Sequence, residues 1–173
     1  MNINIFFTIV SAILLLILFA FKPLDIKQQE FTDVPLFSIT SFTMHELNQE
    51  GLITLMNGTK AVRYEDRYTV DFMDYTDNSK EYIANMKSNT GVYKDEIVDL
   101  NGDVVYFRED GLTFETQHAV YNKKTTIAHA DGKYVLYRGK NVVTGDRLQY
   151  NNSLERIKSK NVIAKYQLKE SKK

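Results

Sequence analysis

The residues that could do chemistry are few and poorly spaced for it. The three histidines, His45, His118 and His129, show no His-x-x-x-His arrangement, so the helical spacing that holds a metal is absent. With no cysteine, disulfides, thiolate zinc sites, thiol nucleophiles and a bacterial lipoprotein anchor are excluded. Asp99, Asn101 and Asp103 begin like a calcium loop. Gly102 is misplaced for one and no helices flank it, so the segment reads as a hairpin turn. No Gly-x-Gly-x-x-Gly, phosphate-loop lysine or Gly-x-Ser-x-Gly elbow occurs. His118 sits in a strand pattern and reads as packing or surface. Carboxylates are plentiful, but nothing singles out a catalytic pair. A formal net charge of +0 removes the electrostatic argument for nucleic acid. Neither a cofactor nor a metal is expected, and the chemistry left is that of a binding surface.

The elements that would carry such a surface are strands. Phe42 and Met44 alternate with Ser41 and Thr43; Val70 and Phe72 alternate with Thr69, Asp71 and Met73. Turn dipeptides fall at Asn57-Gly58, Asp77-Asn78, Asn101-Gly102, Asp110-Gly111, Asp131-Gly132 and Asn151-Asn152. A weak repeat of roughly 29 residues sets Tyr93, Tyr121 and Tyr150 in one series, Ile97, Ile127 and Ile157 in a second and Tyr106, Tyr137 and Tyr166 in a third. Each copy reads as two short strands around a tight turn. Ser79 to Lys87 fits a helix or a strand equally. The prediction is an all-β sandwich, roll or β-taco.

An apolar stripe is ordinarily plain core. Tyrosine is frequent at interior-looking positions here, and its hydroxyl needs a partner, which favours a groove. Alternation assigns that groove to Phe42, Met44, Val70, Phe72, Leu112, Phe114 and Leu136. A stacked, unclosed sheet leaves edge strands that recruit partners. The last strand, Asn161, Val162, Ile163, Ala164, Lys165, Tyr166, Gln167 and Leu168, is one such edge; Phe37 to Leu47 is the other.

Ahead of the strands, residues 5–21 carry no charged side chain. As a helix they span roughly 25 Å, near the ~30 Å of a bilayer core. The exit Phe19-Ala20-Phe21-Lys22-Pro23 lacks a small-x-small cleavage site, so an uncleaved anchor is expected. Lys22 and Lys27 follow the span and no basic residue precedes it, which taken alone would leave the domain in the cytoplasm. The predicted organisation is a tail at 1–4, an anchor helix at 5–21, a linker at 22–36, a β-domain at 37–168 and a basic tail at 169–173.

The span, the linker, the strand Phe37-Ser-Ile-Thr-Ser-Phe-Thr-Met44 and the unit Leu112-Thr-Phe-Glu-Thr-Gln-His-Ala-Val-Tyr121 together resemble the LptC family. The close of the chain, Gly145-Asp-Arg-Leu-Gln-Tyr150 with Ile157 and Asn161-Val162, is also similar. The resemblance implies an open β-jellyroll in the periplasm on a single inner-membrane span. It implies that lipopolysaccharide arrives from an ABC transporter of the LptB/LptF/LptG kind and passes to a bridge protein like LptA by strand addition at the C-terminal edge. No catalytic residue is implied. The competing reading is a tethered β-domain that only pairs strands.

Overall fold

A computed structural model describes residues 2–20, 33–49, 51–79, 82–154 and 156–167. The chain divides into two units, 1–31 and 32–173. The first contains α1, Ile3–Ala20, eighteen residues with no acid in its first turn and no base in its last. Its described side chains, residues 3–17, are exposed and include Ile3, Phe7, Leu14 and Leu16. Among the described residues, no helix is long and apolar enough to cross a membrane.

The second unit is one antiparallel sheet of nine strands in sequence order: β1 Phe37–Asn48, β2 Gly51–Arg63, β3 Tyr68–Asp77, β4 Ala84–Lys94, β5 Ile97–Arg108, β6 Leu112–Asn122, β7 Ile127–Arg138, β8 Asn141–Asn151 and β9 Arg156–Lys165. The sheet does not close, so β1 pairs only with β2 and β9 only with β8. It is an open all-β architecture consistent with a jellyroll.

Strands this long correct the repeat of short hairpins. Asn57-Gly58, Asn101-Gly102 and Asp131-Gly132 lie inside β2, β5 and β7. The connections fall elsewhere. Asp95 and Glu96 both take left-handed backbone (φ 49° and 65°), the signature of a two-residue type I′ turn, without a glycine. Gly111 (φ 84°) and Gly139 (φ 60°) serve the β5–β6 and β7–β8 turns on the opposite rim. The ambiguous 79–87 segment leads into β4. The C-terminal strand begins earlier than expected, at Arg156, and ends at Lys165; Tyr166 and Gln167 follow it without strand pairing. Leu168, the basic tail and all of the linker before residue 33 lie outside the described residues.

The internal dipeptides belong to a crease. Left-handed residues recur in mid-strand at Ser41, Phe72, Gly102, Asp103, Arg147 and Asn161. Pairing registers slip at the same level, between Lys87 and Thr90, Asn101 and Val104, Thr116 and Val120, and Ala130 and Lys133. Bulges of this kind bend a strand and raise its twist. Lined up across neighbours, they fold the sheet along one line. Polar side chains bridge the crease: Asn89 Nδ2 and Gln117 Nε2 donate to the two oxygens of Asp103, at 3.1 Å each. These bonds, Gln117 first, hold the Asp103 carboxyl below its ordinary pKa.

The core sits under the crease. Met73, Leu100 and Val104 are buried, with Val70, Tyr75, Met86, Val98 and Ala119 packed around them. Gly91 fits here because a Cβ would already meet Met73 Sδ at 3.3 Å and Leu100 Cδ2 at 3.4 Å.

Candidate apolar groove and its rims

Two cross-strand rows run the width of the sheet on its inner face, one on each side of the crease. The first is Met44–Met56–Tyr75–Met86–Tyr106–Phe114–Leu136–Val143–Ala164, one residue per strand, each paired in register with the next. The second is Phe37–Arg63–Tyr68–Tyr93–Val98–Tyr121–Ala128–Tyr150–Ile157. Tyr75 and Met86 from the first and Val98 from the second touch the same core, so both rows face inward. The first row has no charged member.

Of the residues assigned by alternation, Met44, Phe114 and Leu136 lie in the first row. Phe42 lies over Gly58, where a Cβ would stand 2.7 Å from its ring and 3.0 Å from Val70 Cγ1. Val70 packs on the core. Leu112 is half-buried, opposite Arg138 in register. Phe72 is a correction: it is 64% exposed with φ 50°, while Met73, read as the outward residue, is buried in the core. The left-handed residue flips the phase of the strand, so a period of two cannot be carried through it. Alternation missed Met56, Tyr75, Met86, Tyr106 and Val143. Their signal was register: each stands opposite an apolar neighbour once the true turns are known.

On the predicted partner edge, residues Asn161, Val162, Ile163, Ala164, Lys165, Tyr166 and Gln167 are all exposed. Val162, Ile163 and Tyr166 are 51%, 65% and 67% exposed, a large apolar fraction for a free edge. Lys165 is the one charge among them.

Burial raises the pKa of the Tyr75 phenol, as does the nearby charge of Asp77 and Glu46. Tyr106 is raised chiefly by burial. Tyr134, 4% exposed, meets the Ser159 hydroxyl at 2.9 Å and ties β7 to the far side of β8. Gly145 makes room for it: a Cβ there would sit 2.8 Å from the Tyr134 hydroxyl and 3.0 Å from the Lys160 carbonyl.

The two rims differ. Beyond the methionine row, Arg108 grips Asp110 with Nε at 2.8 Å from Oδ1 and a second nitrogen on Oδ2, and Arg138 shares the same carboxylate. Asp110 is lowered to about 2, above all by Arg108. Arg108 also lies 4.5 Å from the Tyr82 ring. Beyond the tyrosine row, Arg63 lies over Tyr68 at 5.4 Å, Tyr68 and Tyr93 are 6.3 Å apart, and the Lys123 ammonium lies over Tyr93 at 5.4 Å.

Among the described residues, no group of three or more His, Asp or Glu is placed to hold a metal ion. His118 meets Asp99 at 3.0 Å, and Glu115 accepts from Tyr137 at 2.9 Å. These are contacts between strand side chains, and the Asn101 amide donates to the same Asp99 oxygen at 2.8 Å.

An open antiparallel sheet, creased over an apolar row that reaches both free edges, defines an open all-β domain consistent with a jellyroll. The chain belongs to the lipopolysaccharide-assembly, LptC-related family, whose sequence profile matches residues 5–167. Membership supports a role in lipopolysaccharide transport, in a family of non-enzymatic transport components. A comparison with curated proteins returns no match.

Proposed function

We propose that the protein is a non-catalytic conduit that receives lipopolysaccharide from an inner-membrane ABC transporter and hands it to a periplasmic bridge protein. The observation that carries this reading is the uncharged row from Met44 to Ala164. It meets no interruption across nine strands and ends at both unpaired edges, so a neighbouring sheet on either side would extend it. Acyl chains would lie along this row and move by handover between grooves, driven by ATP hydrolysis in the transporter. Strand addition at β1 would meet the transporter's own β-domain, and addition at β9 the bridge protein. The uncharged N-terminal segment 5–21, which extends past the described end of α1, would hold the domain at the inner membrane, with the sheet in the periplasm.

Photo-crosslinking in intact cells tests the reading. A probe at Met86 or Phe114 should give a light-dependent lipopolysaccharide adduct, and a probe at the outward Phe72 should not. The free apolar edge of β9 also favours the second reading, a strand-pairing adaptor that carries no lipid. Protein adducts from Ile163 with no lipid adduct from Met86 would select it.

A further inference from the structure

We infer that Met44 and Met56 form a site of reversible sulfoxidation at one end of the apolar row, where an added oxygen weakens binding along it. The loss of binding rests on the conduit reading; the modification site does not.

The chemistry begins in composition. The chain has five methionines, no cysteine and no tryptophan. A peroxide meets no thiol here, and the thioethers are left as the side chains it oxidises most readily. Position then separates the four methionines of the sheet. Met44, on the free edge strand β1, is 49% exposed. It stands directly opposite the half-buried Met56 on β2, so the two thioethers lie side by side on one face. Met86 enters the same row two strands further in, beyond Tyr75, and packs against the core. Met73 is 8% exposed within that core. Access to an aqueous oxidant therefore falls from Met44 through Met56 and Met86 to Met73.

The oxygen changes what the row can hold. A peroxide transfers one oxygen atom to sulfur: the S–O bond forms as the O–O bond breaks, the thioether gives up two electrons, and water leaves. A flexible apolar side chain becomes a polar sulfoxide. An acyl chain laid over it would bury a strong acceptor without supplying a donor. The position matters as well, because a sheet added at β1 would take up the row through Met44 first. A methionine sulfoxide reductase reverses the step: two electrons from a dithiol remove the oxygen as water and leave a disulfide. This chain has no thiol of its own to do so, and the reductant is a separate protein.

The test treats the full chain in detergent micelles with limiting hydrogen peroxide. Peptide mass mapping should find the first added oxygen on Met44, the next on Met56 and the last on Met73. At the dose that converts Met44 and Met56, lipopolysaccharide should displace a fluorescent acyl probe with roughly fivefold lower affinity. Treatment with the reductase and dithiothreitol should restore it. The double variant Met44→Leu, Met56→Leu should keep its own untreated affinity through the same dose. Circular dichroism checks that the variant and the oxidised protein are folded. Oxidation of Met73 or Met86 as early as Met44 overturns the site. Unchanged affinity after conversion, or an equal fall in the double variant, overturns the control of binding while leaving the conduit. Untreated protein that binds no lipopolysaccharide overturns the conduit reading, and the control of binding with it.

Discussion

Val70 and Met73 stand at an odd spacing on one strand, and both pack into the same core. A regular strand forbids this, because neighbours alternate between faces. Phe72, with φ 50°, makes it possible by turning the strand over at the crease.

That conformation costs a residue with a Cβ about 1 kcal/mol or more, and glycine nearly nothing. Phe72→Gly should therefore leave the domain as stable as the wild type or about 1 kcal/mol more stable. The midpoint of urea unfolding checks this; a marked loss would mean that the exposed ring carries packing the structure does not show.

Leu100 is 2% exposed at the centre of the core. Leu100→Ala should cost about 2–5 kcal/mol, as buried leucine truncations do. Chemical denaturation followed by tyrosine fluorescence measures it.

Gly145 and Gly58 make a paired test. A methyl at Gly145 meets the Tyr134 hydroxyl and the Lys160 backbone carbonyl, and backbone cannot easily give way. Gly145→Ala should cost about 1–3 kcal/mol and loosen β9 first, seen as faster amide exchange in residues 156–165. A methyl at Gly58 meets chiefly the far end of the Phe42 ring, which can rotate aside, so Gly58→Ala should cost less.

Asp110 carries an acid-sensitive contribution. Its folded pKa of about 2 lies below the ordinary 3.8, so its stabilising contribution is complete above the ordinary value. It fades as pH falls from about 4 through about 2. Asp110→Asn should flatten the acid limb of a plot of urea midpoint against pH and leave the slope between pH 5 and 7 unchanged. An unaltered acid limb would assign that limb to other carboxylates.

The groove makes a directional prediction. Met86→Asp places a charge in the uncharged row and should weaken lipopolysaccharide binding by about tenfold or more. Phe72→Asp, on the outer face, should change it little. Fluorescent-lipid displacement on the folded variants separates the two.

The all-β class, the two free edges and part of one apolar cross-strand row were legible in sequence, because apolar alternation survives wherever a strand stays regular. Met44, Phe114 and Leu136 came from such stretches. Phe72 failed because the phase inverts at a residue whose chemistry gives no warning. Asn101-Gly102 and Asp131-Gly132 misled for a related reason: a dipeptide suited to left-handed backbone serves a bulge as readily as a hairpin turn. Asp95-Glu96, a true turn, has neither glycine nor asparagine and left no mark. The tyrosine repeat was visible as a period, but its meaning as a rim of one face needed the register.

Each strand pairs only with the strands made immediately before and after it. A chain delivered gradually, N-terminus first, can thus zip up one hairpin at a time, with no early segment waiting on a distant late one and little loop entropy lost at any step. The growing sheet always ends in one newly made, unpaired strand. Assembly of the domain and the proposed lengthening of it by a partner strand would therefore be the same physical event, repeated with a different chain.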